Sequence, residues 1–222
     1  MAGMNRRQWL AGVAAAGVVA AGAGCEGTKQ EVAVKRPKNE NFYKADGSFD
    51  VEAAKQAYFD LMKAYHYPIS DGLLKGWWVV DFTLGRFADV GMAGIFWLNE
   101  KEFDYFGHDI FLLPGQMIPE HAHAKIEGVR AKMEGWHCRR GSAYLFGEGE
   151  ASTEAKQIVP ATEWEFTTVH HVTPIGVGET GKLNLAEAKH FMVAGNEGAI
   201  VTEYASYHDN DALRFTDPDC EL

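Results

Sequence analysis

Apolar residues follow two different patterns along this 222-residue chain, one before residue 77 and another after it. Between residues 51 and 66 they recur every three or four positions, which predicts an amphipathic helix. Asp50 is placed to cap the first turn of this helix, and Pro68 lies just beyond its end. From residue 77 onward the apolar runs are short and are separated by Gly, Pro, Asn or Asp, which predicts an all-β sandwich or barrel.

The two patterns also predict how the chain is divided. The segment 25–48 is polar and has no sustained periodicity, so it is predicted to be a linker. We expect a helical lead-in over 49–76, followed by a single β domain over 77–222. The predicted strands of that domain are 77–83, 92–98, 109–113, 136–146, 163–171, 182–186, 190–194 and 199–204.

The first 24 residues have the composition of an export signal. Arg6 and Arg7 precede an uncharged run of Ala, Gly and Val, and such a pair is typical of the twin-arginine type. The run is too short and too rich in Ala and Gly for a good membrane-spanning helix. Cys25 follows it, where a lipoprotein signal has its acylated cysteine. We therefore expect a bacterial protein that is exported to the periplasm, either free or anchored there through a lipid on Cys25.

Composition narrows the choice of partners. Asp and Glu number 31 against 21 Lys and Arg, which gives a net charge of −10. Because so acidic a chain is repelled by phosphate backbones, we expect no nucleic-acid partner. Three cysteines cannot build a disulfide framework, since an odd number leaves at least one unpaired. The nine histidines matter more, because several of them are arranged as metal ligands are.

The segment 115–123 carries two histidines with one residue between them. In a strand, side chains at positions i and i+2 share a face, so His121 and His123 present both imidazoles to the same side. Glutamates follow within a dozen residues, and His190 lies in a later predicted strand. Imidazoles together with a carboxylate suit a divalent ion such as Mn, Fe, Co, Ni or Zn.

The pattern Gly-x5-His-x-His, followed by a carboxylate and a distant histidine, resembles the metal site of the cupin superfamily. More narrowly, residues 77–222 resemble the cupin-type D-lyxose isomerases. The resemblance implies a double-stranded β-helix, a jelly-roll-like barrel, here preceded by an N-terminal helix. The segments that carry it are LLPGQMIPEHAH (112–123), KMEGWHCRRGSAYLFGEGE (132–150), AKHFMVAGNEGAIVTEYAS (188–206) and FTDP (215–218), with a weaker match at DFTLGRFADVG (81–91).

The resemblance also implies a divalent metal, with manganese as the expected ion, and a competing position exists for its carboxylate ligand. Many cupins place this carboxylate four residues after the second histidine, which would be Glu127. The flanking pattern Lys132-x-Glu134 matches the isomerases and favours Glu134. The ligands implied are His121, His123, Glu134 and His190.

The activity implied by the resemblance is the interconversion of D-lyxose and D-xylulose, and of D-mannose and D-fructose. This reaction moves a proton between C1 and C2, so it needs a base within hydrogen-bond reach. The resemblance places Glu203 in that role, and a glutamate in an apolar strand is otherwise hard to justify. Lys132 would supply a fixed positive charge to a substrate oxygen. His171 also lies at a position that the family fills with histidine.

Two other classes of function use the same ligands. One is an iron-dependent cupin oxidoreductase, and the other is a lipoprotein that binds a sugar or a metal without catalysis. An oxygenase has no need for the pair Lys132 and Glu203, which favours the isomerase. We therefore expect a small sugar as the substrate and, as is common in the family, a homodimer. The remaining histidines, expected to be surface or core residues, are His66, His108, His137 and His208.

Overall fold

The computed structural model describes residues 34–222. The predicted export signal over 1–24 and the predicted lipidation site Cys25 lie outside the described residues. Within 34–222, every helix is too short or too polar to cross a bilayer.

One long helix precedes the strands, as the spacing of apolar residues predicts. It is α1 (Val51–Ala64), and the Asp50 side chain accepts a hydrogen bond from the Ala53 amide at 3.1 Å in its first turn. Two shorter helices follow along the chain, α2 (Asp71–Gly76) and α3 (Ala155–Ile158). Single 3-10 turns occupy Asn39–Phe42, Trp164–Phe166 and Asn210–Ala212.

In the described part of the chain, nine strands form one curled sheet in which every strand pairing is antiparallel. The prediction of an all-β barrel with an N-terminal helix is therefore confirmed. The strands are β1 (Trp78–Val80), β2 (Met92–Glu100), β3 (Tyr105–Leu112), β4 (Met117–His123), β5 (Glu134–Gly147), β6 (His171–Gly176), β7 (Thr180–Lys182), β8 (His190–Ala205) and β9 (Leu213–Phe215).

The two longest strands, β5 and β8, form the spine of the barrel. They pair with each other along most of their length, while β8 pairs on its other edge first with β4 and then with β3. Both strands bend where Gly141 and Gly198 adopt positive φ angles of 69° and 78°. A Cβ atom on Gly141 would overlap the Gly198 carbonyl oxygen, so only glycine permits this bend.

Hydrophobic side chains pack on both faces of the sheet. On the outer face, Tyr58 and Leu61 of α1 pack against Ile95, Phe111 and Ile200 of the strands. On the inner face, a second cluster from β2, β3, β5 and β8 lines the barrel. The helix thus buries the back of the strands, and polar side chains on the inner face are held among apolar ones.

The strand predicted over 163–171 is wrong for most of its length. A 3-10 turn occupies Trp164–Phe166, and the ladder begins only with β6. The amides of Thr168 and Val169 donate to the buried Glu120 carboxylate at 2.6 and 2.9 Å rather than to a strand. Buried backbone donors need a partner, and here a carboxylate replaces the ladder. The strand predicted over 182–186 is also wrong, because β7 ends at Lys182 and no strand covers 183–186.

Part of the predicted linker packs on the domain. Phe42 is buried, and its ring centroid lies 4.8 Å from that of Phe87 in an edge-on arrangement. Arg36 forms an ion pair with Asp89 at 2.6 Å. The region 36–48 therefore belongs to the folded unit, because two aromatic side chains, Phe42 and Tyr43, anchor an otherwise polar segment.

Candidate functional site

Three histidines meet on the inner face of the barrel. His121 and His123 lie two residues apart on β4 and point to the same side, as the strand period requires. His190 begins β8 and is the direct cross-strand partner of His121. The three imidazoles therefore converge because β4 and β8 are paired in this register.

A single carboxylate joins them. Glu134 is buried at the start of β5, and its carboxylate lies with the three imidazoles so that one ligand atom from each residue falls within 4.8 Å of the others. Glu127, the competing candidate, is exposed in the turn after β4 and is not part of this cluster. The structure therefore brings together the four residues that the resemblance implied.

The orientation of two imidazoles is set by the main chain. His121 Nδ1 lies 2.8 Å from the Pro119 carbonyl oxygen, and His190 Nδ1 lies 2.9 Å from that of Ala188. A carbonyl oxygen can only accept, so each Nδ1 carries a hydrogen, and in the neutral imidazole Nε2 then has the lone pair that a metal needs. Backbone partners of this kind are what orient histidine ligands in metal sites.

The atoms that face the centre of the cluster are acceptors without a matching donor. Glu134 Oε1 lies 2.7 Å from His190 Nε2 and 3.2 Å from His123 Nε2. None of these three buried atoms makes a hydrogen bond of acceptable geometry with any residue in 34–222. Buried polar atoms without partners are costly in free energy, and converging lone pairs of this kind suit a cation.

Burial and charge act against each other in this cluster. Burial alone would raise the pKa of the Glu134 carboxyl, but the positive charge of Lys132, together with the nearby imidazoles, holds it well below its usual value. Burial and the neighbouring imidazole of His190 lower the pKa of His121 well below its usual value. Burial also lowers the pKa of His123. The pKa of His190 moves the other way: burial alone would lower it, but the Glu134 carboxylate raises it above its usual value. Metal binding uses the ionised carboxylate and the neutral imidazoles.

Lys132 connects this cluster to Glu203. The Lys132 ammonium is buried and donates to Glu134 Oε2 at 2.9 Å and to Glu203 Oε1. Burial alone would lower the pKa of Lys132, but the two carboxylates raise it above its usual value. The ammonium also lies 4.6 Å from the centroid of the Phe106 ring. A fixed cation therefore stands between the proposed base and the four-residue cluster.

These side chains line one cavity of about 450 Å³ inside the barrel. Its volume lies in the range of small-molecule sites. The cluster, Lys132 and Glu203 supply its polar part, and the rest of the wall is aromatic and aliphatic. The aromatic side chains that line it are Trp78, Phe82, Phe96, Phe106, Trp136, Phe191 and Phe215.

Two histidines that were expected to be surface or core residues also line this cavity. His108 is buried on β3, and its Nδ1 lies 3.3 Å from Glu203 Oε2. His208 follows β8, and its Nε2 donates to Asn210 Oδ1 at 2.7 Å. Burial, with the charge of Lys132, lowers the pKa of His208 to about 4. A signal for His108 was present, because it lies in phase with the inward-facing residues of its strand, but none marked His208.

The other histidines of the predicted β domain lie elsewhere. His171 begins β6, outside the main cavity, with its Nδ1 3.0 Å from the Glu150 carbonyl oxygen. The ring of His170 stacks on Trp164 with centroids 4.4 Å apart. His137 lies beside the hydroxyl of Thr180, at 2.9 Å.

Comparison with known proteins supports the same family. No protein-family model matches the chain. The D-lyxose/D-mannose isomerase of Thermosediminibacter oceani is 34% identical over 140 residues, which cover 63% of this chain and 76% of that protein. The D-lyxose ketol-isomerase of Cohnella laeviribosi is 34% identical over 143 residues, covering 64% of this chain and 77% of that protein.

Solved structures share the fold at much lower sequence identity. L-ribose isomerase of Cellulomonas parahominis superposes with a TM-score of 0.61 at 13% identity, covering 82% of this chain and 96% of that one. L-ribose isomerase of Geodermatophilus obscurus superposes with a TM-score of 0.55 at 16% identity, covering 82% and 91%. At such low identity these likenesses show the fold alone. The sequence relatives are more similar to this chain, and their identity and coverage show that it belongs to the D-lyxose ketol-isomerase family.

Proposed function

We propose that this protein is a metal-dependent isomerase that interconverts D-lyxose and D-xylulose, and also D-mannose and D-fructose. The observation that carries the proposal is the buried Lys132 ammonium, which joins the Glu203 carboxylate to Glu134 of the four-residue cluster. Aldose–ketose isomerisation needs a proton carrier next to a strongly positive site. Family membership supports the substrate class, since the relatives are named for D-lyxose and D-mannose.

The proposed metal ligands are His121, His123, Glu134 and His190. Their fit to a divalent ion rests on the buried imidazole and carboxylate atoms that face one another without hydrogen-bond partners in 34–222. Three nitrogens and one carboxylate oxygen suit Mn²⁺, the ion that we expect to support activity. When bound, such an ion acts as a Lewis acid on the sugar carbonyl.

The chain's own residues then account for the movement of the proton. Glu203 takes the proton from C2 of the aldose and returns it to C1, while the 2-hydroxyl loses its proton and the C1 oxygen gains one. The negative charge that develops on the two substrate oxygens is stabilised by the Lys132 ammonium, which is buried and already oriented by two carboxylates. A preoriented cation needs little rearrangement when that charge appears.

The cavity wall contributes by excluding water. Aromatic rings surround the polar groups, and Phe106 packs directly on the Lys132 ammonium. Charge–charge interactions are stronger in such a site than in water. Flat apolar walls also suit the C–H faces of a neutral sugar, which agrees with a substrate that carries no charge.

A sugar panel tests the proposal. Purified protein reconstituted with Mn²⁺ is incubated with D-lyxose, D-mannose, D-xylose and L-ribose, and the ketose products are identified by chromatography. We expect D-xylulose from D-lyxose and a smaller yield of D-fructose from D-mannose. The absence of any ketose with Mn²⁺, Co²⁺, Ni²⁺ or Zn²⁺ would contradict the isomerase. Oxygen consumption by the iron-loaded protein would instead indicate an oxidoreductase.

A pair of matched variants tests the ligand set. Glu134→Gln and Glu127→Gln make the same chemical change, one inside the cluster and one on the exposed turn. We expect Glu134→Gln to lose most of the bound metal and Glu127→Gln to retain it, as measured by plasma mass spectrometry of the dialysed protein. A larger loss from Glu127→Gln would reverse the assignment.

Location and assembly remain proposals from the sequence. We propose that the twin-arginine signal exports the folded protein and that Cys25 is then lipidated, so that the barrel faces the periplasm. Replacing Arg6 and Arg7 with Lys should keep the protein in the cytoplasm on cell fractionation, and Cys25→Ser should release it from membranes. The expected homodimer is checked by light scattering after gel filtration, where a monomer mass would contradict it.

A further inference from the structure

His108 lies next to the proposed base and does not resemble an ordinary core histidine. It faces Glu203 directly across the β3–β8 pairing, with its Nδ1 3.3 Å from Glu203 Oε2. Its side chain is 4% exposed, so no bulk water competes for this contact. A buried histidine in contact with the proposed base is therefore placed to control the orientation of the Glu203 carboxylate.

The two oxygens of Glu203 are held by different groups. Lys132 donates to Oε1, and His108 lies against Oε2. Because an ionised carboxylate only accepts hydrogen bonds, Nδ1 of His108 carries the hydrogen in this contact. We infer that His108 is a positioning residue, which fixes the carboxylate plane of Glu203 so that one lone pair faces the substrate. This inference rests on the proposed isomerase function.

Neighbouring residues on β2 and β3 leave a space that the His108 imidazole fills. A Cβ atom on Gly94 of the neighbouring strand β2 would overlap His108 Nε2 and would come within 2.9 Å of the Trp78 ring. The ring is also enclosed edge-on by Phe96 at 4.8 Å and by Phe106 at 5.6 Å. The imidazole therefore has little freedom to rotate away from Glu203. It fits at this position only because Gly94 has no side chain.

Restricting the rotation of the Glu203 carboxylate matters because the rate of proton transfer depends on how the base is aligned with the C–H bond. A base that is free to rotate spends only part of its time aligned with the C–H bond, and a displacement of about 1 Å can cost on the order of 100-fold in rate. Loss of His108 should therefore slow the chemical step more than it weakens substrate binding.

The decisive variants are His108→Asn and His108→Leu, which have nearly the same shape. The amide nitrogen of asparagine can take the place of Nδ1 as a donor, whereas leucine has no donor. We expect His108→Leu to lower kcat for D-lyxose about 10- to 100-fold with KM changed less than about threefold. We expect His108→Asn to remain within about fivefold of the wild type. With D-lyxose deuterated at C2, the isotope effect on kcat should rise in His108→Leu alone.

Two glycine variants test the same inference without changing His108. Gly94→Ala should displace the imidazole and reproduce the kinetics of His108→Leu. Gly107→Ala is the matched control on the adjacent strand, because a Cβ atom there has nothing within 4 Å, and it should leave kcat unchanged. Metal content and circular dichroism accompany each variant. If His108→Leu does not fold, Gly94→Ala decides the question.

The outcomes separate this inference from the proposed function. An active wild type together with an unimpaired His108→Leu overturns the role of His108 and leaves the isomerase standing. Equal impairment of His108→Asn and His108→Leu, with no change in the isotope effect, assigns His108 to folding alone and also overturns the inference. A wild type that converts no aldose overturns the proposed function, and the inference with it.

Discussion

Arg86 forms ion pairs with two residues that are distant in the chain, Glu163 and Asp217. Its removal should therefore lower the free energy of unfolding by an unusually large amount. Its guanidinium donates to both carboxylate oxygens of Glu163, at 2.5 and 3.2 Å, and to Asp217 at 2.7 Å. The side chains of Glu163 and Asp217 are only 1% and 3% exposed. Replacing Arg86 with leucine would leave two buried carboxylates without their cation.

The size of the effect follows from that burial. Breaking a buried ion pair by removing one partner typically costs about 3–5 kcal/mol of unfolding free energy. The Arg86 side chain is itself 24% exposed, so we expect the lower end, about 3 kcal/mol. Arg36 provides the control, because its 2.6 Å ion pair with Asp89 is partly exposed on both sides and should contribute about 0–1 kcal/mol.

Urea unfolding at pH 7, followed by circular dichroism, measures both variants. Arg86→Leu should lower the midpoint far more than Arg36→Leu, and its melting temperature should fall by about 6–12 °C. Adding Glu163→Gln and Asp217→Asn to Arg86→Leu should recover part of the loss, since no buried charge then remains unpaired. Free energies of unfolding that agree within about 0.5 kcal/mol for Arg86→Leu and Arg36→Leu would show that the buried ion pairs of Arg86 stabilise the protein no more than the exposed pair of Arg36 does.

Three further predictions concern single side chains. Glu203→Gln should keep the bound metal but lower kcat by about 100- to 10,000-fold, because an amide cannot carry the proton; unchanged turnover would remove Glu203 as the base. Burial raises the pKa of the Cys138 thiol to about 11 and that of Cys220 to about 12. Since the thiolate is the reactive form, iodoacetamide at pH 8 should label neither of these two residues until urea unfolds the protein, as read by peptide mass spectrometry, and labelling of either one in the native state would count against its burial. Tyr58→Phe should cost about 1 kcal/mol, because the buried hydroxyl donates to Gln116 Oε1 at 2.7 Å; the exposed Tyr105→Phe should cost nothing measurable by the same urea assay.

The spacing of residues along the chain predicted the structural features that depend only on interactions between residues close in sequence. The helix predicted over 51–66 matches α1, because apolar spacing and the cap at Asp50 act within a few residues of each other. The shared face of His121 and His123 follows in the same way from the two-residue period of a strand. The strand predicted over 163–171 failed because its amides bind a carboxylate from another part of the chain, Glu120, which no local pattern shows.

The all-β class, the leading helix, the histidine pair and, through resemblance, the family could all be predicted from the amino-acid sequence. The folded structure places Glu134, and not Glu127, beside the three imidazoles, because the distance between a carboxylate and the imidazoles depends on how β4, β5 and β8 pair. The contact of His108 with Glu203 likewise depends on strand pairing, since 95 positions separate the two residues along the chain and the pairing of β3 with β8 places them opposite each other. Strand register brings such residues together, and register is a property of the folded barrel that is not contained in either segment alone.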